Sequence, residues 1–181
     1  MNYQLIADVG STKAAWTLIC PDGSLSPYSD TGINALLASP DELDAAFGRL
    51  AAWLPDKCRI NAVHYYGAGC ATPELCGKVA SRLQAAFPDA RVEVASDLLG
   101  AARAMLGTDR GIVCILGTGS NSCLYDGRNI SHNIPSLGFI LGDEGSGAAL
   151  GKRLVSDTFK QQLPESCLLY TSPSPRDRQK S

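Results

Sequence analysis

Apolar and polar positions along the chain fall into short runs, and one arrangement of them occurs twice. Tyr3 to Ala7 and Ile112 to Leu116 are apolar runs that read as strands. Each leads into a turn of small polar residues and then a returning strand. In the first case the turn is Asp8-Val9-Gly10-Ser11-Thr12-Lys13 and the return is Ala14 to Cys20. In the second it is Gly117-Thr118-Gly119-Ser120, with Asn121 to Tyr125 returning. Pro21-Asp22-Gly23 and Asp126-Gly127 close the two units as turns. The β-branched run Ile112 to Leu116 is expected to be buried on both faces. The repetition predicts two related half-domains, each presenting a hydroxyl-lined loop.

The intervening pattern supplies helices. Leu25 to Thr31 reads as a weak strand, followed by the loop Gly32-Ile33-Asn34. Ser39-Pro40-Asp41-Glu42 combines a capping hydroxyl, an early proline and first-turn acids. Leu43, Ala46, Phe47, Leu50 and Leu54 then recur at helical spacing up to Pro55. Ile60 to Tyr66 is the next strand. Thr72-Pro73-Glu74 opens a helix with Leu75, Val79, Leu83 and Phe87 on one face. Arg91 to Ala95 is a strand, and Ser96 caps a helix from Asp97 to Leu106 that Gly107 ends. Further on, Ile134 to Phe139 is expected as an edge strand because it contains Pro135. Leu150, Leu154, Val155 and Phe159 predict a last helix.

This order predicts an α/β domain over residues 1–106 and a second domain over residues 107–164. Two or three strands and one helix are too few to cover both faces of a sheet, so the second domain is expected to be incomplete. Residues 165–181, with their Ser-Pro-Ser-Pro-Arg-Asp-Arg-Gln-Lys-Ser run, are expected to be a non-native or disordered tail. The stretch from Cys167 to Ser181 resembles translated sequencing-adapter sequence.

Composition narrows the function classes. Of 181 residues, 45% are hydrophobic and 19% charged, the balance of a globular protein. A net charge of −2 gives no electrostatic case for nucleic acid or an anionic membrane as partner. No apolar run approaches the roughly 20 residues of a membrane span. The seven cysteines are odd in number and irregularly spaced, which predicts a reduced, cytoplasmic protein.

The candidate chemistry lies in the turns. Glycines let a ligand approach the backbone, and the N–H groups and hydroxyls of Gly-Thr-Gly-Ser donate to anions. Gly151-Lys152-Arg153 is not a P-loop, because the spacing to Gly145 is wrong and Arg153 stands where Ser or Thr is required.

Asp8 to Lys13 resembles the first phosphate loop of the sugar kinase, Hsp70 and actin superfamily, and Gly117 to Asn121 its second. With Ser96-Asp97 and the run Leu137 to Ser146, the stretch from Leu5 to about Leu163 resembles the BadF/BadG/BcrA/BcrD ATPase family, most closely its N-acetylglucosamine kinase branch. The resemblance implies a ribonuclease-H-like (actin-like ATPase) domain followed by the incomplete start of a second one. It implies ATP and magnesium as cofactors and an amino sugar as substrate, with a homodimer when full length. Asp8 would hold magnesium through water. Gly10, Ser11, Thr12, Lys13, Gly117, Thr118 and Gly119 would face the ATP phosphates. Asn34, Ser120, Asn121, Gly138 and Asp143 would contact the sugar. Asp97 would be the catalytic base, kept ionised by the helix N-terminus beside it. The family's adenine-binding part would lie beyond this chain, so the chain alone is expected to be inactive.

Plainer roles stand beside these. Asp97 could serve only as a first-turn acid, Asn34 only as a turn former, and Asp143 with Glu144 only as a helix cap. Lys13 could face solvent or phosphate. Two other functions fit the scaffold: an ATPase activator of a radical dehydratase, and a non-catalytic sugar-binding regulator. The activator would need cysteines converging on an iron–sulfur cluster, for which Cys114 and Cys123 in one hairpin are poorly placed.

Overall fold

A computed structural model describes residues 3–56, 58–134 and 136–167. The strands β1 (Tyr3–Val9), β2 (Lys13–Ile19) and β3 (Leu25–Thr31) form an antiparallel meander. The chain then crosses through α1 (Pro40–Trp53) to β4 (Ile60–Gly67), and through α2 (Pro73–Ala86) to β5 (Arg91–Ser96). β4 lies parallel to both β1 and β5, so the five-stranded sheet has the order β3-β2-β1-β4-β5. Helix α3 (Asp97–Leu106) leads to a three-stranded sheet of β6 (Gly111–Leu116), β7 (Ser120–Tyr125) and β8 (Ile130–Ile134). The short α4 (Gly138–Leu141) and α5 (Gly147–Phe159) follow.

The capping signals act as written. Ser39 and Glu42 make a reciprocal capping box at α1, and Thr72 and Ser96 accept from the third residues of α2 and α3. The period-2 alternation of β1 sends Leu5, Ala7 and Val9 to one face of the sheet. There they meet Trp16, Val63 and Tyr65 and the apolar stripes of α1 and α2, including Phe47, Leu50, Val79 and Leu83. Each fully buried leucine, valine or phenylalanine among them contributes about 1.5–3 kcal/mol. Helix α3 covers the opposite face, where Gly100 sits against the ring of Tyr66. Leu98 and Ala102 of α3 then pack with Val113, Cys123 and Tyr125 in a second, smaller core.

Two sequence expectations are corrected. β6 is not buried on both faces: Val113 is buried, whereas Ile112 and Leu116 are 75% and 66% exposed. Its inner residues Val113 and Ile115 pack with Leu98 and Ala102 of α3. The edge strand expected over Ile134 to Phe139 is instead the end of β8 followed by α4. Leu137 and Gly138 take positive φ, which ends the extended run and starts a helical turn.

By contacts the chain divides into two compact units, Met1–Ile115 with Ser122–Ile134, and Leu116–Asn121 with Pro135–Ser181. Among the described residues, no helix is long and apolar enough to cross a membrane. Residues 165–167 are helical, and the rest of the expected tail lies outside the described residues.

Candidate active site

In the first unit the candidate residues gather at the carboxyl ends of the parallel strands, where open α/β sheets bind ligands. Gly10 N donates to Lys13 O at 2.9 Å and closes the β1–β2 turn. The loop after β3 lies directly on it: Gly32 N donates to Thr12 O at 3.0 Å and Ile33 N to Gly10 O at 3.0 Å. A Cβ at Gly32 would come within 2.3 Å of Gly10 O, so only glycine allows this approach. The turn therefore holds Ser11, Thr12 and Lys13 outward, and all three are exposed.

Asn34 is drawn to the same place. Its Nδ2 donates to Ser11 Oγ at 3.3 Å, and its Oδ1 accepts from Leu36 N at 3.0 Å. Ala35 N donates to Ala68 O, which fixes the Asn34 turn to the end of β4. Gly69, at φ +78°, leaves the space that Asn34 Oδ1 fills. Asn34 does shape its turn, as its plainer reading has it, and it also reaches the phosphate-loop candidate.

Asp97 opens α3, but Ser96 is the cap: its Oγ accepts from Leu99 N at 3.2 Å. Asp97 Oδ1 accepts from Leu98 N at 2.8 Å. Burial raises the Asp97 carboxyl above its ordinary value, and the charge of Asp8 pushes the same way, against the Leu98 hydrogen bond. Burial thus outweighs the backbone hydrogen bonds that the start of α3 offers the carboxylate. Buried Tyr65 and Cys70 feel the Asp97 charge: burial first, then neighbouring charges, pushes the Tyr65 hydroxyl up and takes the Cys70 thiol up to about 12. Asp8 itself is exposed at the end of β1.

In the second unit, Gly117 to Asn121 form a loop closed by Gly117 N donating to Gly119 O at 2.9 Å. Gly117 O accepts from Gly147 N at 2.8 Å and Thr118 O from Ala148 N at 3.3 Å, so the start of α5 holds this loop. Asp143, only 8% exposed and at φ 60°, accepts from Ser120 N at 3.1 Å through Oδ1. It does not cap α5. That cap is Ser146, whose Oγ accepts from Ala149 N at 3.1 Å. Gly138, at φ 72°, starts α4.

Comparison with solved structures identifies the fold that carries these residues. A protein of Porphyromonas gingivalis assigned as an N-acetylglucosamine kinase superposes with a TM-score of 0.80 at 43% identity, over 94% of this chain and 62% of that one. MreB 5 of Spiroplasma citri, bound to AMPPNP, superposes with a TM-score of 0.54 at 9% identity, over 74% and 52% of the two chains. The chain has the actin-like ATPase fold. A second protein assigned as an N-acetylglucosamine kinase, from Chromobacterium violaceum, matches this actin-like chain at 25% identity with a TM-score of 0.71, over 86% of it and 56% of its own length. The chain therefore spans about 62% and 56% of these two relatives. No protein-family model and no curated relative matches it.

Proposed function

We propose that the whole protein to which this chain contributes is an ATP-dependent kinase of an amino sugar such as N-acetylglucosamine. One observation carries the reading: the half-buried carboxylate of Asp97 at the sheet's carboxyl edge, raised in pKa and within electrostatic reach of Asp8. A base works best when its pKa lies near the operating pH, so a raised Asp is suited to take a proton from a sugar hydroxyl. The 43% identity to an assigned N-acetylglucosamine kinase supports the substrate class.

The residues divide the work as phosphoryl transfer requires, through positioning and charge stabilisation. In the first unit Gly10, Ser11, Thr12 and Lys13 would hold phosphate oxygens with N–H groups, hydroxyls and an ammonium. In the second, Gly117, Thr118 and Gly119 would do the same. Asn34, Ser120, Asn121, Gly138 and Asp143 would orient the sugar. Magnesium would neutralise phosphate charge when bound. The donor type fits it: Asp8 is an exposed hard oxygen donor at the end of β1. One carboxylate with retained waters is a usual magnesium arrangement.

We also propose that residues 1–106 and 107–164 belong to two ribonuclease-H-like domains. The whole protein would be a cytoplasmic homodimer, and this chain alone would be inactive. The test joins residues 1–163 to the part of the P. gingivalis protein that this chain does not span. Transfer of the γ-phosphate of ATP to N-acetylglucosamine by this chimera, and not by residues 1–181, supports the reading. ATP hydrolysis with no sugar phosphate under any sugar would remove it.

A further inference from the structure

Lys78 lies on α2, one position before fully buried Val79, and is itself half-buried. A lysine at such a place ordinarily runs its stem along the apolar surface and puts its ammonium in water. Here Nζ turns back to the protein. It donates to Ala35 O at 3.2 Å, and to Ala38 O. Those carbonyls belong to the turn that Asn34 opens, in which Leu37 N and Ala38 N donate to Asn34 O at 3.0 and 2.9 Å. The Lys78 charge also reaches Glu42 at the start of α1, though hydrogen bonds from Ser39 do most to lower the Glu42 carboxyl.

We propose that Lys78 is a positioning residue for Asn34: its ammonium ties the Asn34 turn to α2 and so fixes where the Asn34 amide points. The inference rests on the sugar-kinase reading only for what Asn34 binds. The turn is anchored in the core by fully buried Ala35, and its hydrogen bonds to the body of the unit run to Ala68, Ser11 and Lys78. Asn34 Oδ1 is taken by Leu36 N, and Nδ2 carries two hydrogens, one of them directed at Ser11 Oγ. The second hydrogen is the donor a sugar oxygen would accept. Its direction follows the turn. Charge-assisted hydrogen bonds hold geometry more firmly than neutral ones, which suits an ammonium to this task.

The test uses the 181-residue chain, its Lys78→Met variant and its Lys78→Arg variant. Three quantities are read: amide hydrogen exchange at Leu37 and Ala38, affinity for N-acetylglucosamine by calorimetric titration, and melting temperature. Lys78→Met should speed exchange at both amides by about 10-fold or more. It should weaken sugar binding by about 10-fold, with melting shifted by only a few degrees. Lys78→Arg should restore most of both. Unchanged exchange in Lys78→Met overturns the proposal, as does faster exchange with undiminished sugar affinity. A large drop in melting with uniform loss of protection would mean a merely structural lysine, which also overturns it. If Lys78→Met fails to fold, Lys78→Gln carries the same comparison. If the unaltered chain binds no sugar, the affinity comparison moves to the chimera with the P. gingivalis part, while the exchange comparison still decides whether Lys78 holds the turn.

Discussion

Asn34 Nδ2 donates to Ser11 Oγ at 3.3 Å, joining residues 23 positions apart in the sequence. One is a sugar-contact candidate and the other a phosphate-contact candidate. The bond exists because Gly32 lies against the β1–β2 turn and brings the following loop with it. In a phosphotransferase these two groups must be neighbours, since the attacking hydroxyl and the transferred phosphate meet in line.

That packing predicts a specific vulnerability. Gly32→Ala would push a methyl into Gly10 O and Lys13 N, at 2.3 and 2.4 Å, where backbone cannot yield. Urea unfolding should report a loss of about 1–3 kcal/mol or more. Gly48→Ala, with nothing within 4 Å, is the control and should not destabilise the chain. Equal midpoints for the two variants would contradict this account of the turn.

The sequence reveals elements more clearly than their surroundings. Strands and helices through Leu106 are readable because capping residues, prolines and apolar periods agree locally, as at Ser39, Thr72 and Ser96. The exposure of Ile112 and Leu116 is not readable, because a run that looks buried on both faces says nothing of whether a partner layer is present. Lys78 carries no local signal either. It is one polar residue beside an apolar stripe, and only hydrogen bonds to carbonyls 43 and 40 positions away give it a role. Asp143 was visible as a candidate from its loop, but its bond to Ser120 N depends on a positive φ that sequence periodicity does not report.

Asp97 should cost stability at neutral pH. Its folded pKa is raised above the ordinary 3.8, so its contribution is fully present below the unfolded value and is lost as pH rises through the folded one. Asp97→Asn removes that loss. The variant should match the parent near pH 3.5, to about half a unit, and be the more stable of the two at neutral pH. Urea midpoints across that range check it. A variant that is less stable at neutral pH would mean that ionised Asp97 is stabilising.

Thiol reactivity should follow exposure. Cys114 is exposed, whereas Cys70 and Cys123 are buried, with burial pushing both thiols up and Cys70 reaching about 12. Only the thiolate reacts readily. Brief iodoacetamide treatment at mildly alkaline pH, read by mass spectrometry, should alkylate Cys114 while leaving Cys70 and Cys123 intact until denaturant is added. Labelling of Cys70 at the rate of Cys114 would contradict the packing around Asp97.

The central claim is that Asp97 removes the proton from the sugar hydroxyl, and the Asp97→Asn exchange in the active chimera tests it most directly. Asparagine is nearly the same size and can still accept from Leu98 N, so helix α3 and sugar binding should change little. It cannot take a proton. The measurement is the single-turnover rate of N-acetylglucosamine phosphorylation alongside sugar affinity. The account predicts a rate lowered by roughly 10²–10⁴-fold with affinity within several-fold of the parent. An unchanged rate would contradict it and leave Asp97 as a first-turn acid of α3.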